Sequence, residues 1–324
     1  MLAPLSHFRL ITPLLILLSA GVMAALVAVG GYDVVPLGLI WAAAGLLSAG
    51  IWNIVSRFSL DGGANVKAFA ISWPLLSLST DFAYCYLPHT DLFYRSLAEQ
   101  FAMLAILTLE MSLWQHRHAI LKHLLIGLIL GLVSTLLPHA LTWLLMLPVA
   151  CYFMRCWSAR NILSALTGVV LGIWFVYCGV FLVCGMATAD GVVGQYAQLL
   201  QRPDLGALAA TLGVWQYTFL GLMALLLVMY SISATVLSPG SVRVGASIKL
   251  VSVLSFLLVL LMLADLSHLT DYLCLFAFFL SLQLTIHQAN IHSAVYEWWT
   301  LLILLIIMAL CILPSVPLSI PFLN

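Results

Sequence analysis

The chain has 324 residues, of which 64% are hydrophobic and 7% charged, where a soluble domain carries about 25% charged residues. So few charges cannot cover a water-facing surface of this size, so a water-soluble fold is excluded and lipid is the solvent that suits the composition. With 11 basic and 11 acidic residues the formal net charge is zero, which leaves no basic surplus for nucleic acid and no acidic tail.

At about 20 apolar residues per span, the chain has room for about eleven helices in a single transmembrane domain over residues 1–324, an all-α polytopic bundle. In chain order the spans are predicted at Leu10–Val29, Pro36–Val55, Ala68–Tyr86, Leu92–Leu113, Ile120–Leu137, Ala140–Phe153, Ile162–Met186, Gly213–Leu237, Leu250–Ala264, Tyr272–Ile286 and Glu297–Leu313. The first run is longer than the apolar core of a signal peptide and reads as a permanent anchor. The sixth and ninth are short and are expected to extend into their flanks or lie at a slant. The sizeable connection is Ala187–Leu212, where Gln195–Gln201 suits an interfacial helical turn. Pro314 and Pro317 end the last helix.

The charges orient this pattern. Cytoplasmic loops carry the excess of Lys and Arg. With the N-terminus inside, Arg9, Arg57, Lys67, Arg117, Lys122, Arg155, Arg160, Arg243 and Lys249 fall on the cytoplasmic side, and Arg95 and Arg202 outside. Nine bases against two place the N-terminus in the cytoplasm and the C-terminus outside, in a bacterial inner membrane. Asp33, Asp91, Asp190, Asp204, Asp265 and Asp271 all fall on the outer side.

Between His116 and Cys178 the chain reads as a basic loop, a helix with Gly127 and Gly131, Pro138, a second helix, then RCWSARNILSALTGVVLGIWF; its last third ends on a polar turn and EWWTLLILL. Through Arg155, Gly168, Glu297 and Trp298 this order resembles an uncharacterised family of multi-pass inner-membrane proteins of Bacteroidota. Some members carry a beta-carotene monooxygenase label. Such enzymes hold iron with four histidines on a β-propeller, which a helical chain does not offer, and the resemblance supplies no catalytic residues.

Motifs of soluble enzymes are missing: no phosphate-binding glycine loop ending in Lys, no dinucleotide fingerprint, no His-Glu-x-x-His, no nucleophile elbow. DGGANVK, from Asp61, reads as a turn whose glycines permit the reversal. Ionisable side chains at membrane depth are costly and mark pathways or sites, or else ion pairs that join helices. Asp81, Arg95, Glu99 and Glu110, on the third and fourth spans, are therefore the candidates for a substrate or proton site. Arg95 and Glu99 share a helix face, as do Glu99 and Glu110; Asp81, Arg95 and Glu99 are expected to form one polar cluster.

His116, Arg117, His118, Lys122 and His123 lie at the cytoplasmic surface beside Trp114. They suit an anionic lipid head group, or simply set the topology. Asp265, His268 and Asp271, and His287, Asn290 and His292 near Glu297, are weaker polar groups. His139, after Pro138, reads as a capping residue at a helix end. The cysteines Cys85, Cys151, Cys156, Cys178, Cys184, Cys274 and Cys311 read as small buried apolar residues. Neither Cys151 and Cys156 nor Cys178 and Cys184 have the paired spacing of a zinc site, and no metal or cofactor is expected.

These features fit a protein that handles an envelope lipid or lipid-linked glycan, by transport or flipping or by transfer. For transfer, an acid on the first outer loop is the relevant feature, and Asp33 stands there. Membrane lipids, a lipid-linked glycan and membrane-protein partners are the expected contacts. The alternative is a non-catalytic scaffold subunit of a membrane complex.

Overall fold

The computed structural model describes residues 3–60, 65–86, 93–116, 119–198, 213–236, 241–264, 269–290 and 294–312. Every regular element among them is helical: α1 (Ala3–Gly30), α2 (Val34–Arg57), α3 (Asn65–Tyr86), α4 (Phe93–Met111), α5 (Ile120–Ser134), a tighter 3-10 segment (Pro138–Leu145) running into α6 (Met146–Phe153), α7 (Ala159–Cys184), α8 (Met186–Gln198), α9 (Val214–Val236), α10 (Val242–Ala264), α11 (Leu269–Asn290) and α12 (Ala294–Ile312).

Each of the eleven predicted segments coincides with a helix. The sixth is the 3-10 segment together with α6. The ninth begins earlier than predicted, at Val242: Arg243 and Lys249, expected in a loop, lie on its first turns with both side chains exposed. The connection after the seventh is also more ordered than a loop, because α8 occupies its first half. Tyr196 on α8 bonds Ser134 at 3.0 Å.

Five of these helices are long and apolar enough to cross a membrane: Thr12–Gly30, Val34–Arg57, Ala159–Cys184, Val214–Val236 and Val242–Leu263. Their outward faces are apolar as well, with Leu46, Val170, Phe181, Leu182, Leu225 and Leu263 exposed. Meanwhile Ser, Thr, Gln, Asp and Glu side chains are buried. Apolar outside and polar inside is the arrangement lipid permits and water does not. This is a helical membrane protein.

The chain forms two compact units. The first comprises Met1–Phe93, Ala209–Ser233 and Thr270–Asn324. In it α3 packs against α1, α2 and α12, and every residue of α11 from Tyr272 to Gln288 is buried. Trp73 donates from its indole N–H to the Trp41 carbonyl at 2.9 Å. Phe82 and Phe219 stack with centroids 4.0 Å apart, both fully buried. With lipid as the solvent, packing rather than water expulsion carries the energy here. Phe219→Leu loses the ring contact while nearly keeping volume, so it is expected to cost about 1 kcal/mol, read as a lower midpoint of unfolding in detergent.

The second unit comprises Tyr94–Leu208 and Ala234–Leu269. Its frame is the α5–α7 pair. Gly127 and Gly131 on α5 face Gly168 and Gly172 on α7, each pair spaced by one helical turn. A Cβ on Gly127 would overlap the Ala165 carbonyl oxygen and one on Gly131 that of Val169; one on Gly172 would come within 2.6 Å of the Leu128 carbonyl oxygen. Only glycine lets the two backbones approach this closely, the small-residue logic of membrane helix pairs. Ser164 adds a bond from its Oγ to the Ile120 carbonyl at 2.6 Å. This locked register fixes what the start of α5 meets.

Candidate functional site

Glu99 and Glu110 are both buried on α4, 2% and 3% exposed. They are eleven residues apart and so on one face, but about 16 Å apart along the axis. Both lie in the second unit, with Trp143 between their surroundings. Arg95, one turn before Glu99, is exposed. Glu99 instead turns to the 3-10 segment. Its Oε1 accepts a hydrogen bond from the Trp143 indole N–H at 3.2 Å and lies 3.3 Å from His139 Nε2. His139 is fully buried and Trp143 nearly so. Oε2 of Glu99 is buried with no hydrogen-bond partner among the described residues.

The local sequence explains the placement. Pro138 fits the first position of a helix, where a missing N–H is harmless. The chain reaches it through Leu137 in an extended conformation, and the tight winding that follows presents His139 and Trp143 inward. A 3-10 run of eight residues is long for this winding, and such stretches often accompany hinges or strain. His139, taken from the sequence as a helix cap, is thus a direct neighbour of the carboxylate. Its signal was a lone histidine in an apolar run; its partner lies forty positions away, beyond the reach of spacing rules.

Glu110 lines a narrow cavity with Met103, Ile126, Trp143, Met146 and Leu254. The space admits about one water molecule, too little for a substrate. Asp81 lies in the first unit, on α3. It is fully buried, and neither carboxylate oxygen has a hydrogen-bond partner among the described residues. Of the residues expected to cluster, Asp81 belongs to the first unit and Arg95 and Glu99 to the second; within the second, Arg95 is exposed while Glu99 turns to Trp143 and His139.

The basic patch also divides. His116 is exposed and Lys122 half-buried, with Lys122 Nζ donating to Ser112 Oγ at 3.0 Å. Arg155, half a turn past α6, places its guanidinium over the Trp114 ring at 5.5 Å. Arg117 and His118 lie outside the described residues, as do Asp265, His268 and His292. His123 leaves the patch altogether: it is 1% exposed and its Nε2 lies 3.5 Å from Cys151 Sγ and 4.0 Å from Cys156 Sγ. Cys156 sits in the turn after α6, and its thiol is held below the usual range by hydrogen bonding, chiefly from Cys151 and then from His123. His287 on α11 is buried between Ser233 and the Tyr230 ring.

Compared with protein-family models, with curated proteins and with solved structures, the chain matches none.

Proposed function

We propose that this is an inner-membrane protein of eleven spans, N-terminus in the cytoplasm and C-terminus outside, that moves an envelope lipid or lipid-linked glycan. In this reading the Glu99–His139 pair holds the proton that accompanies the movement. One observation carries it: a buried carboxylate whose Oε1 accepts from Trp143 and lies 3.3 Å from His139, while its Oε2 has no hydrogen-bond partner among the described residues. A pair built only to join helices satisfies both oxygens, because an idle buried acceptor costs about 1–3 kcal/mol. A carboxylate beside an imidazole can pass a proton between them. Asp81, in the first unit, is a second buried carboxylate without a hydrogen-bond partner among the described residues, and buried ionisable groups of this kind suit membrane transport.

The cavity beside Glu110 admits about one water, room for a proton carrier there. Asp33 is exposed at the start of α2 and makes no side-chain capping bond. His116, Lys122 and Arg155, with Arg117 and His118, would meet anionic head groups at the cytoplasmic face.

The orientation is tested by reporter fusions. Those at Arg117, Arg160 and Arg243 are expected to report cytoplasm, and one after residue 324 the outside. A cytoplasmic signal after residue 324 removes a span from the scheme. The activity is tested in proteoliposomes holding fluorescent phospholipid or polyprenyl-phosphate sugar, with an impermeant quencher outside. Wild-type protein is expected to render the inner-leaflet label accessible. Failure with both lipids sinks the reading.

A further inference from the structure

We propose that His123, Cys151 and Cys156 form a zinc site at the cytoplasmic end of the α5–α6–α7 group. Among the described residues they are a set of His and Cys side chains whose ligand atoms all lie within 4.8 Å of one another, and all three are buried. A tetrahedral zinc ion bound at the usual Zn–N and Zn–S lengths holds its nitrogen and sulfur ligands about 3.6 Å apart. The two imidazole-to-sulfur distances here, 3.5 and 4.0 Å, bracket that value.

The turn that follows α6 builds half of the site. The N–H of Cys156 bonds the Cys151 carbonyl at 3.0 Å, and that of Arg155 bonds the Tyr152 carbonyl at 3.2 Å. Arg155 takes the left-handed conformation, φ 54°. This is the Schellman helix end, which folds the second residue past the cap back over the helix's last turn. It brings two cysteines five positions apart face to face. An ordinary Schellman contact is apolar and needs nothing more. Here a third ligand arrives from α5, and it arrives oriented. His123 Nδ1 lies 2.9 Å from the Ala119 carbonyl oxygen, which can only accept. Nδ1 therefore carries the proton, and the Nε2 lone pair faces the two sulfurs. Such a carbonyl behind a histidine is the usual support of a metal ligand. Asn161 Nδ2 holds the Cys156 carbonyl at 2.8 Å, and the glycine contacts of α5 and α7 fix the register of His123 against the turn.

Charge favours the same ion. Two thiolates and a neutral imidazole around a divalent cation sum to zero, the least costly total in a low-dielectric setting. In the proposed orientation the site faces the cytoplasm, where thiols stay reduced. Three protein ligands leave a fourth position open. The spacing rule that dismissed this pair from the sequence assumes both cysteines on one short loop, which the Schellman turn does not require.

The test uses full-length protein purified under reducing conditions without added chelator. Stoichiometric zinc by elemental analysis is expected. Cobalt loaded in its place is expected to show thiolate-to-metal charge-transfer absorption, which falls by about half in Cys156→Ser, one thiolate of two being lost. Metal analysis and cobalt spectra of the wild type stand even if the variants do not fold. Zinc and cobalt both absent from protein with reduced thiols overturns the proposal. So does a Cys151–Cys156 disulfide in freshly isolated protein, or copper held in place of zinc. None of these results bears on lipid movement, which the proteoliposome assay reads separately.

Discussion

Gly131→Leu is expected to disrupt the second unit, lowering stability by about 3 kcal/mol or more. The cause is backbone contact. A Cβ on Gly131 already meets the carbonyl group of Val169, and a leucine cannot be placed by turning a rotamer, because the obstacle is main chain. The α5 and α7 axes must separate, and the Ser164 to Ile120 bond is lost with them. Gly179→Leu is the control. It lies on the same α7, and a Cβ there meets nothing within 4 Å; leucine at that position is expected to be neutral or slightly stabilising, since glycine is the poorer helix former. Unfolding midpoints in detergent compare the two. Equal effects would show that the glycine contact does not hold the pair together.

His139→Leu is expected to cost about 3 kcal/mol, because removing one partner of a buried pair leaves the other uncompensated. Glu99→Gln is milder. The amide keeps an oxygen to accept from Trp143, at a loss of about 1 kcal/mol. With His139 already leucine, the further change Glu99→Gln is expected to restore stability. The double-mutant cycle then gives a coupling of about 1–3 kcal/mol, measured by chemical unfolding in detergent. Additive effects would mean that the 3.3 Å approach of His139 to Glu99 has no energetic content.

The helices were legible because apolar runs and the bases between them are local signals. Every predicted span found its helix. What was misjudged depended on details that composition does not carry. Arg243 and Lys249 look like loop residues, yet a helix end tolerates them. The sites were less legible. Glu99, Glu110 and Asp81 stood out as ionisable residues within apolar runs, and all three are buried. Their partners could not be read. Arg95 has the helical spacing to pair with Glu99, yet the carboxylate turns toward His139 and Trp143, forty or more positions on. His123 was grouped with the basic loop by adjacency, although it begins a helix whose inner face takes it to Cys151 and Cys156. In each case the decisive geometry is a tertiary approach: the 3-10 turn after Pro138, the left-handed Arg155, the glycine seam of α5 and α7.

The most direct test of the central claim is lipid movement by Glu99→Gln protein in the proteoliposome assay, at a temperature where its unfolding midpoint shows it folded. The account predicts that the wild type moves the labelled lipid and that Glu99→Gln, though folded, does not, because the amide cannot take up the proton that His139 shares. Movement by Glu99→Gln at the wild-type rate would contradict it, leaving the buried pair as a helix-joining contact and the scaffold reading in its place.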